Sequence, residues 1–315
     1  MKDLRIVFMG TPEFAVTILD GLINEGAQIV GVITAPDKPA GRGRKISESS
    51  VKTYSTEKGL TILQPTNLKD EHFVNKLKVL NADLFIVVAF RMLPEVIWTM
   101  PPKGTINLHA SILPNFRGAA PINWAIINGE KESGVTTFFI EKEIDTGKII
   151  LNDKIEITED MTAGQLHDKL ASIGIEVMNK TIIQISENSV YALDQENIRT
   201  ENIKSAPKIF KADCKINWAL SATEVHNFIR GLSPYPGSWC NITFKGKELT
   251  CKLFNSSVSN INSKQKLEMS NQNTFVFPCA DYYIAIEQIQ IEGKRRMSYE
   301  EFRRGNSILD IEIIK

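Results

Sequence analysis

The nine residues "ADLFIVVAF" at 82–90 run almost without a polar interruption and constrain the fold more than any other stretch of the chain. A strand of that composition has no side to turn toward water, so it belongs inside a sheet covered on both faces. "LRIVFMG" at 4–10 and "QIVGVIT" at 28–34 are of the same kind, and "GTINLH" at 104–109 is a shorter version. Between the first two lies "TPEFAVTILDGLINEG", where Ala15, Ile18, Leu19 and Leu22 recur at helical spacing behind Thr11 as expected N-cap and Pro12 at the first helical position. A second helical stretch is expected near 69–80. Strands alternating with helices imply an α/β fold built on a parallel sheet, with ligand sites beyond the carboxyl ends of its strands. His109 stands at such an end.

Farther along, "GVTTFFIEKEIDTGKIILNDKIEI" reads as two strands flanking a turn at Asp145, Thr146 and Gly147, and so as an antiparallel pair. "TAGQLHDKLASIGIEVMNKTIIQISEN" is a long amphipathic helix that closes a first domain near residue 190. Residues 191–207 lack periodicity and read as a linker. Residues 208–315 hold one helical stretch, "SATEVHNFIRGL", and several short alternating runs that suggest a small second sheet or barrel. The Asn- and Ser-rich "NSSVSNINSKQK" is expected at a hairpin tip. A length of 315 residues with 43% hydrophobic content suits two such domains, each with its own core.

Net charge is zero, yet residues 204–315 carry 16 lysines and arginines against 11 acidic residues, which leaves −5 on residues 1–203 and +5 on the remainder. That asymmetry suits a polyanion directed at the C-terminal half. Cys214, Cys240, Cys251 and Cys279 match no metal-binding spacing, and neither disulfides nor a metal are expected. No secretory or membrane-spanning stretch is evident, so a cytoplasmic protein is expected.

"GTPEF" follows the first strand where a dinucleotide-binding protein carries three glycines; with one glycine and a proline, it argues against a nicotinamide or flavin cofactor. In "NLHAS", residues two apart on an extended chain face one side, so Asn107 and His109 present an amide and an imidazole to one point. Both can donate to a developing oxyanion. A carboxylate that orients the ring would complete the set, and Asp145 is the candidate.

"NLHASILPNFRGAAPINWAI", "IDTGKII", "GTPEF" and "VVAFRMLP", in their order and spacing, resemble the folate-dependent formyltransferases. The resemblance is strong over residues 1–190 and continues through "SAPKI" and "GLSPYPGSW". It implies a Rossmann-like formyltransferase domain followed by an OB-like β-barrel domain over 208–315. It further implies transfer of a formyl group from 10-formyltetrahydrofolate to the α-amino group of methionine on initiator tRNA, by a monomer. By that likeness Asn107, His109 and Asp145 are the catalytic trio, and Ser111, Ile112, Leu113 and Pro114 border the folate. Phe90 and Arg91 depart from the usual bacterial pairing but match a pterin-side segment of purine-pathway relatives. Lys38, Arg42, Arg44 and Lys45, with Lys52 nearby, form a basic, glycine-containing loop that the family uses on tRNA. Rival readings are a formyltransferase acting on a nucleotide-linked amino sugar, a formyltetrahydrofolate hydrolase, and a binding module without turnover.

Overall fold

The computed structural model describes residues 4–40, 45–198, 202–265 and 273–314. The backbone divides into two compact units, one of residues 1–118, 133–155 and 167–205, the other of residues 119–132, 156–166 and 206–315.

The first unit is built on a seven-stranded sheet of β1 (Arg5–Gly10), β2 (Gln28–Ile33), β3 (Ile62–Leu63), β4 (Leu84–Val88), β5 (Thr105–His109), β6 (Glu132–Phe139) and β7 (Ile149–Glu156), in the order β7-β6-β5-β4-β1-β2-β3. β1 pairs in parallel with β2 and β4, and β4 with β5, whereas β6 runs antiparallel to β5. Every residue of β4 is buried, as its unbroken apolar composition requires. The carboxyl ends of β1, β4 and β5 therefore share one edge. Gly10 ends β1 at a close approach: a Cβ there would lie 2.5 Å from Ala15 Cβ and 3.0 Å from Val88 O.

The first helix, α1 (Glu13–Asn24), buries Ala15, Ile18, Leu19 and Leu22 as its periodicity predicts. Its start differs from expectation. Pro12, not Thr11, is the N-cap, extended at ψ −179, with its carbonyl accepting from the Ala15 N–H at 3.0 Å. A proline ring has no hydroxyl to offer, so the cap makes no side-chain hydrogen bond.

The second unit carries an antiparallel, OB-like barrel sheet of β8 (Ser238–Phe244), β9 (Lys247–Asn262), β10 (Phe275–Pro278), β11 (Tyr282–Ile291) and β12 (Ile311–Ile314), ordered β10-β11-β9-β8-β12. Its core gathers Ile242, Leu253, Phe275, Ile286 and Phe302. The Asn- and Ser-rich stretch expected at a hairpin tip is largely strand: β9 continues to Asn262, with Ser256 opposite Ile286 and Val258 opposite Ile284. Backbone pairing with the apolar β11 overrides the local turn composition there. Among the described residues no helix is long and apolar enough to cross a membrane.

Helix α2 (Ala222–Gly231) carries two buried polar side chains in this unit. His226 Nε2 donates to Glu159 O at 3.2 Å and its Nδ1 accepts from Ser256 Oγ at 2.9 Å, a pattern that the neutral ring satisfies. Arg230 donates to Met161 O at 2.9 Å and Asn227 Oδ1 at 2.9 Å, and the Asp160 carboxylate lies 3.6 Å from the His226 ring. Burial, with the nearby Arg230 charge, holds the His226 pKa below its ordinary 6.5 despite Glu159, Asp160 and Ser256. The unfolded chain thus binds a proton that the folded chain resists, so this contribution to stability is complete above pH 6.5 and is lost as pH falls toward the folded-state value. Thermal unfolding of wild type and His226→Gln between pH 7.5 and 5 tests this. The variant is expected to lose part of the acid-side decline, and parallel curves would refute the assignment.

Candidate active site

Parallel register sets Val87 of β4 opposite Asn107 and Val88 opposite Leu108, which carries Asn107 and His109 to the carboxyl edge of the sheet. Asn107 is half-buried, and its carboxamide has no hydrogen-bond partner among the described residues. His109 is buried, 6% exposed. Its Nε2 lies 2.8 Å from Phe116 O. A carbonyl only accepts, so Nε2 carries a proton and Nδ1 is the ring atom that faces Asp145.

Asp145 sits in the loop between β6 and β7 at a left-handed φ of +55. Its Oδ2 accepts from the Gly118 N–H at 2.9 Å and stands 3.8 Å from His109 Nδ1. That separation exceeds a hydrogen bond. The ring is therefore oriented by the Phe116 carbonyl, a role the sequence assigned to the carboxylate. Among the described residues, His109 Nδ1, Asp145 Oδ1 and the Asn107 carboxamide make no hydrogen bond.

The loop beyond His109 spends its side chains on its own shape. Ser111 Oγ donates to Asn115 O at 2.6 Å. Thr136 Oγ1 donates to Ser111 O at 2.7 Å and accepts from the Leu113 N–H at 3.2 Å. Leu113 packs with Phe138 and Ile149, and Pro114 follows a cis peptide. Ile112 is half-buried against Gly134. Beyond β4, Phe90 is half-buried, and the Arg91 guanidinium carbon lies 5.6 Å from its ring centroid. Arg91 donates to Thr66 O at 2.9 Å and to Pro65 O, and partial burial lowers its pKa. It borders a cleft of about 840 Å³ with Asn67, Lys69, Met92, Leu93 and Val96.

The basic stretch after β2 is a hairpin at its base, Lys38–Ala40 pairing with Lys45–Ser47. Lys38 is exposed at its start, Lys45 opens the return strand, and Arg42 and Arg44 lie outside the described residues. Lys52 is already neutralised: it bonds Asp37 and lies 2.8 Å from Glu48. Among the described residues no three His, Cys, Asp or Glu side chains gather in a metal-binding group.

The formyl transferase family model matches residues 4–182, more than half of the chain, and that of the formyl transferase C-terminal domain matches residues 208–307. The chain belongs to the formyl transferase family. It is 50% identical to the methionyl-tRNA formyltransferase of Flavobacterium johnsoniae over 98% of each chain, and 46% identical to that of Bacteroides thetaiotaomicron, again over 98% of each. Among solved structures, a sugar 3N-formyl transferase crystallised with dTDP and 5-N-formyl-THF superposes with a TM-score of 0.65 at 23% identity, over 93% of this chain and 99% of the other. At that identity the likeness speaks for the shared fold.

An amide donor, an imidazole and a carboxylate are groups suited to acyl transfer to an amine, and two of them, His109 and Asp145, lie 3.8 Å apart here. Three contributors to this arrangement were missed in the sequence: the Phe116 carbonyl, the Gly118 N–H and the Gln195 side chain. The first two act through the backbone and leave no mark in residue type. Gln195 falls in the stretch read as a linker, yet it is buried in a short 3-10 turn. The Asp145 loop also depends on Gly147, where a Cβ would lie 1.7 Å from Phe139 O. Gly147→Ala must push backbone against backbone. We expect a lower urea midpoint and reduced turnover together, and an unchanged midpoint would contradict the packing described.

Proposed function

We propose that this protein transfers the formyl group of 10-formyltetrahydrofolate to the α-amino group of methionyl-tRNA. One geometric observation carries the chemistry: at the edge of a parallel sheet, His109 lies 3.8 Å from Asp145 on the strand that also presents the unpartnered Asn107 amide. The full-length likeness to methionyl-tRNA formyltransferases supports the acceptor.

The donor supplies an activated formyl carbon. An α-amine has a pKa near about 8, so a useful fraction is neutral at physiological pH and needs no strong base. Attack places negative charge on the formyl oxygen. The Asn107 N–H and His109 Nδ1, once protonated, are the donors free to receive it, while Phe116 O keeps the ring from turning away. Asp145 holds the backbone N–H of Gly118 with Oδ2, leaving Oδ1 to take the amine's proton. Collapse of the tetrahedral intermediate then breaks the bond between the formyl carbon and folate N10, and that proton passes to N10, directly or through water, as tetrahydrofolate leaves. A group lying beside the 3.8 Å gap can contact both ring and carboxylate.

For the folate, the cleft beside Arg91 offers apolar Met92, Leu93 and Val96 along one side and Lys69 for a carboxylate. We place Phe90, Arg91 and the loop of Ser111, Ile112, Leu113 and Pro114 around the donor. Because the Ser111 and Leu113 side chains are committed inward, that loop would meet the ligand through backbone atoms and Ile112.

For the tRNA, the second unit supplies cations interleaved with aromatics. A cavity of about 400 Å³ is lined by Lys208, Lys211, Lys252, Tyr235 and Trp239. Lys208 lies 5.2 Å from the exposed Phe210 ring and Lys215 lies 6.0 Å from Trp239. Such a surface suits phosphates and unstacked bases. In line with the family resemblance, we propose Lys38, Arg42, Arg44 and Lys45 as further tRNA contacts. We further propose that the protein works as a monomer in the cytoplasm, in line with the family resemblance.

Formyl transfer measured in parallel with charged initiator tRNA, with a nucleotide-linked amino sugar, and with no acceptor separates this reading from its rivals. Product on tRNA alone is expected; product on the sugar, or formate release without acceptor, would replace the proposal. Asn107→Ala should lower kcat by on the order of 10²-fold, the effect of losing one oxyanion donor, with little change in thermal midpoint. Lys208→Gln should weaken tRNA binding and reduce the salt slope of log K by about 1. An unaltered slope would remove Lys208 from the phosphate contacts.

A further inference from the structure

We infer that Gln195 is a positioning residue for the reaction, holding both neighbours of the His109 ring in place through one buried carboxamide. The inference rests on the formyl-transfer reading of Asn107, His109 and Asp145 given above.

Gln195 is 4% exposed. Its Nε2 donates to Asp145 O at 3.0 Å and to Gly147 O at 2.8 Å. Its Oε1 accepts from Arg117 Nε at 3.1 Å and Arg117 Nη2 at 2.6 Å. The amide orientation is dictated by its partners, since a guanidinium only donates and a carbonyl only accepts. Both amide hydrogens and the amide oxygen are thus in use. Arg117 lies between the two residues that define the other side of the site: Phe116, whose carbonyl orients His109, and Gly118, whose N–H holds the Asp145 carboxylate.

The need for such a clamp follows from the backbone. Asp145 has a φ of +55, a conformation aspartate tolerates better than most residues, and Phe116 a φ of +59, which a bulky aromatic residue holds only when its surroundings enforce it. Gln195 bonds the Asp145 segment directly and the Phe116 segment through Arg117. Its own position is set by a reciprocal backbone pair, Ile149 N–H to Leu193 O and Leu193 N–H to Ile149 O, both 2.8 Å. Loss of the amide would let the carboxylate and the carbonyl drift independently, and a displacement of about 1 Å near reacting groups can cost on the order of 10²-fold in rate.

The test is a double-mutant cycle on the full chain with steady-state kinetics for both substrates. Gln195→Glu keeps an acceptor for Arg117 and removes the two donors to the Asp145 turn. We expect kcat to fall by about 10- to 100-fold with each KM within about twofold. In an Asp145→Asn background the same change should lower the residual rate by less than about twofold, because the group being positioned is already disabled. An equal fold loss in both backgrounds, a loss expressed in KM, or an unchanged kcat would each overturn the inference. Should the added carboxylate prevent folding, Gln195→Met, uncharged and of similar length, enters the cycle; because it also releases Arg117, it should lower kcat at least as much and keep part of that loss in the Asp145→Asn background, and an unchanged kcat would overturn the inference. If Asp145→Asn alone keeps wild-type kcat, the formyl-transfer reading of the trio has failed, whereas full activity of the Gln195 variants beside an inactive Asp145→Asn removes only the positioning role.

Discussion

The pairing of β4 with β5 governs what the rest of the first unit can do. β4 is buried along its whole length and cannot slip without exposing apolar side chains or leaving polar groups unmatched. Its register fixes Val87 against Asn107 and Val88 against Leu108. Side chains alternate along a strand, so a shift of one residue would turn the amide and the imidazole to the opposite face together. The direction in which two polar groups point is therefore enforced by a row of hydrophobic ones.

Around that row, three of the loops that follow these strands hold a left-handed residue. Ala89 after β4, Phe116 after β5 and Asp145 after β6 all hold positive φ without being glycine. Each such residue costs about 1–3 kcal/mol, and such costs are tolerated where surrounding bonds over-determine the geometry. The bonds in question are the His109 contact to Phe116 O, the Gly118 N–H to Asp145, and the four hydrogen bonds of Gln195. Rigidity at the site thus comes from loops tied to one another over a core that needs no polar help.

The second unit follows a different economy of contacts. Its sheet is antiparallel, and its largely aliphatic core holds an aromatic cluster in which Phe275 packs edge-on to Tyr299 and Phe302. Two of its exposed aromatics, Phe210 and Tyr235, lie beside lysines and outside that core. The positive balance of residues 204–315 thus has a local form, as lysines beside ring faces.

Residue pattern alone determined the parallel sheet, the helix face of Ala15, Ile18, Leu19 and Leu22, the antiparallel pair around Asp145, and the division into an α/β part and a β part. These follow from burial periodicity, which is local and needs no partner to be read. The motif around His109 and the turn at Asp145 also offered three candidate groups, of which the structure sets His109 and Asp145 3.8 Å apart. Tertiary structure alone decided how the groups are held. The carbonyl of Phe116, the N–H of Gly118 and the amide of Gln195, 50 residues from Asp145, act through hydrogen bonds between distant segments. A backbone atom has no residue type, and a glutamine in an aperiodic polar stretch reads as solvent-facing until the fold buries it. The same reason explains the strand that replaced the expected Asn- and Ser-rich tip: a sheet partner supplies what local composition does not.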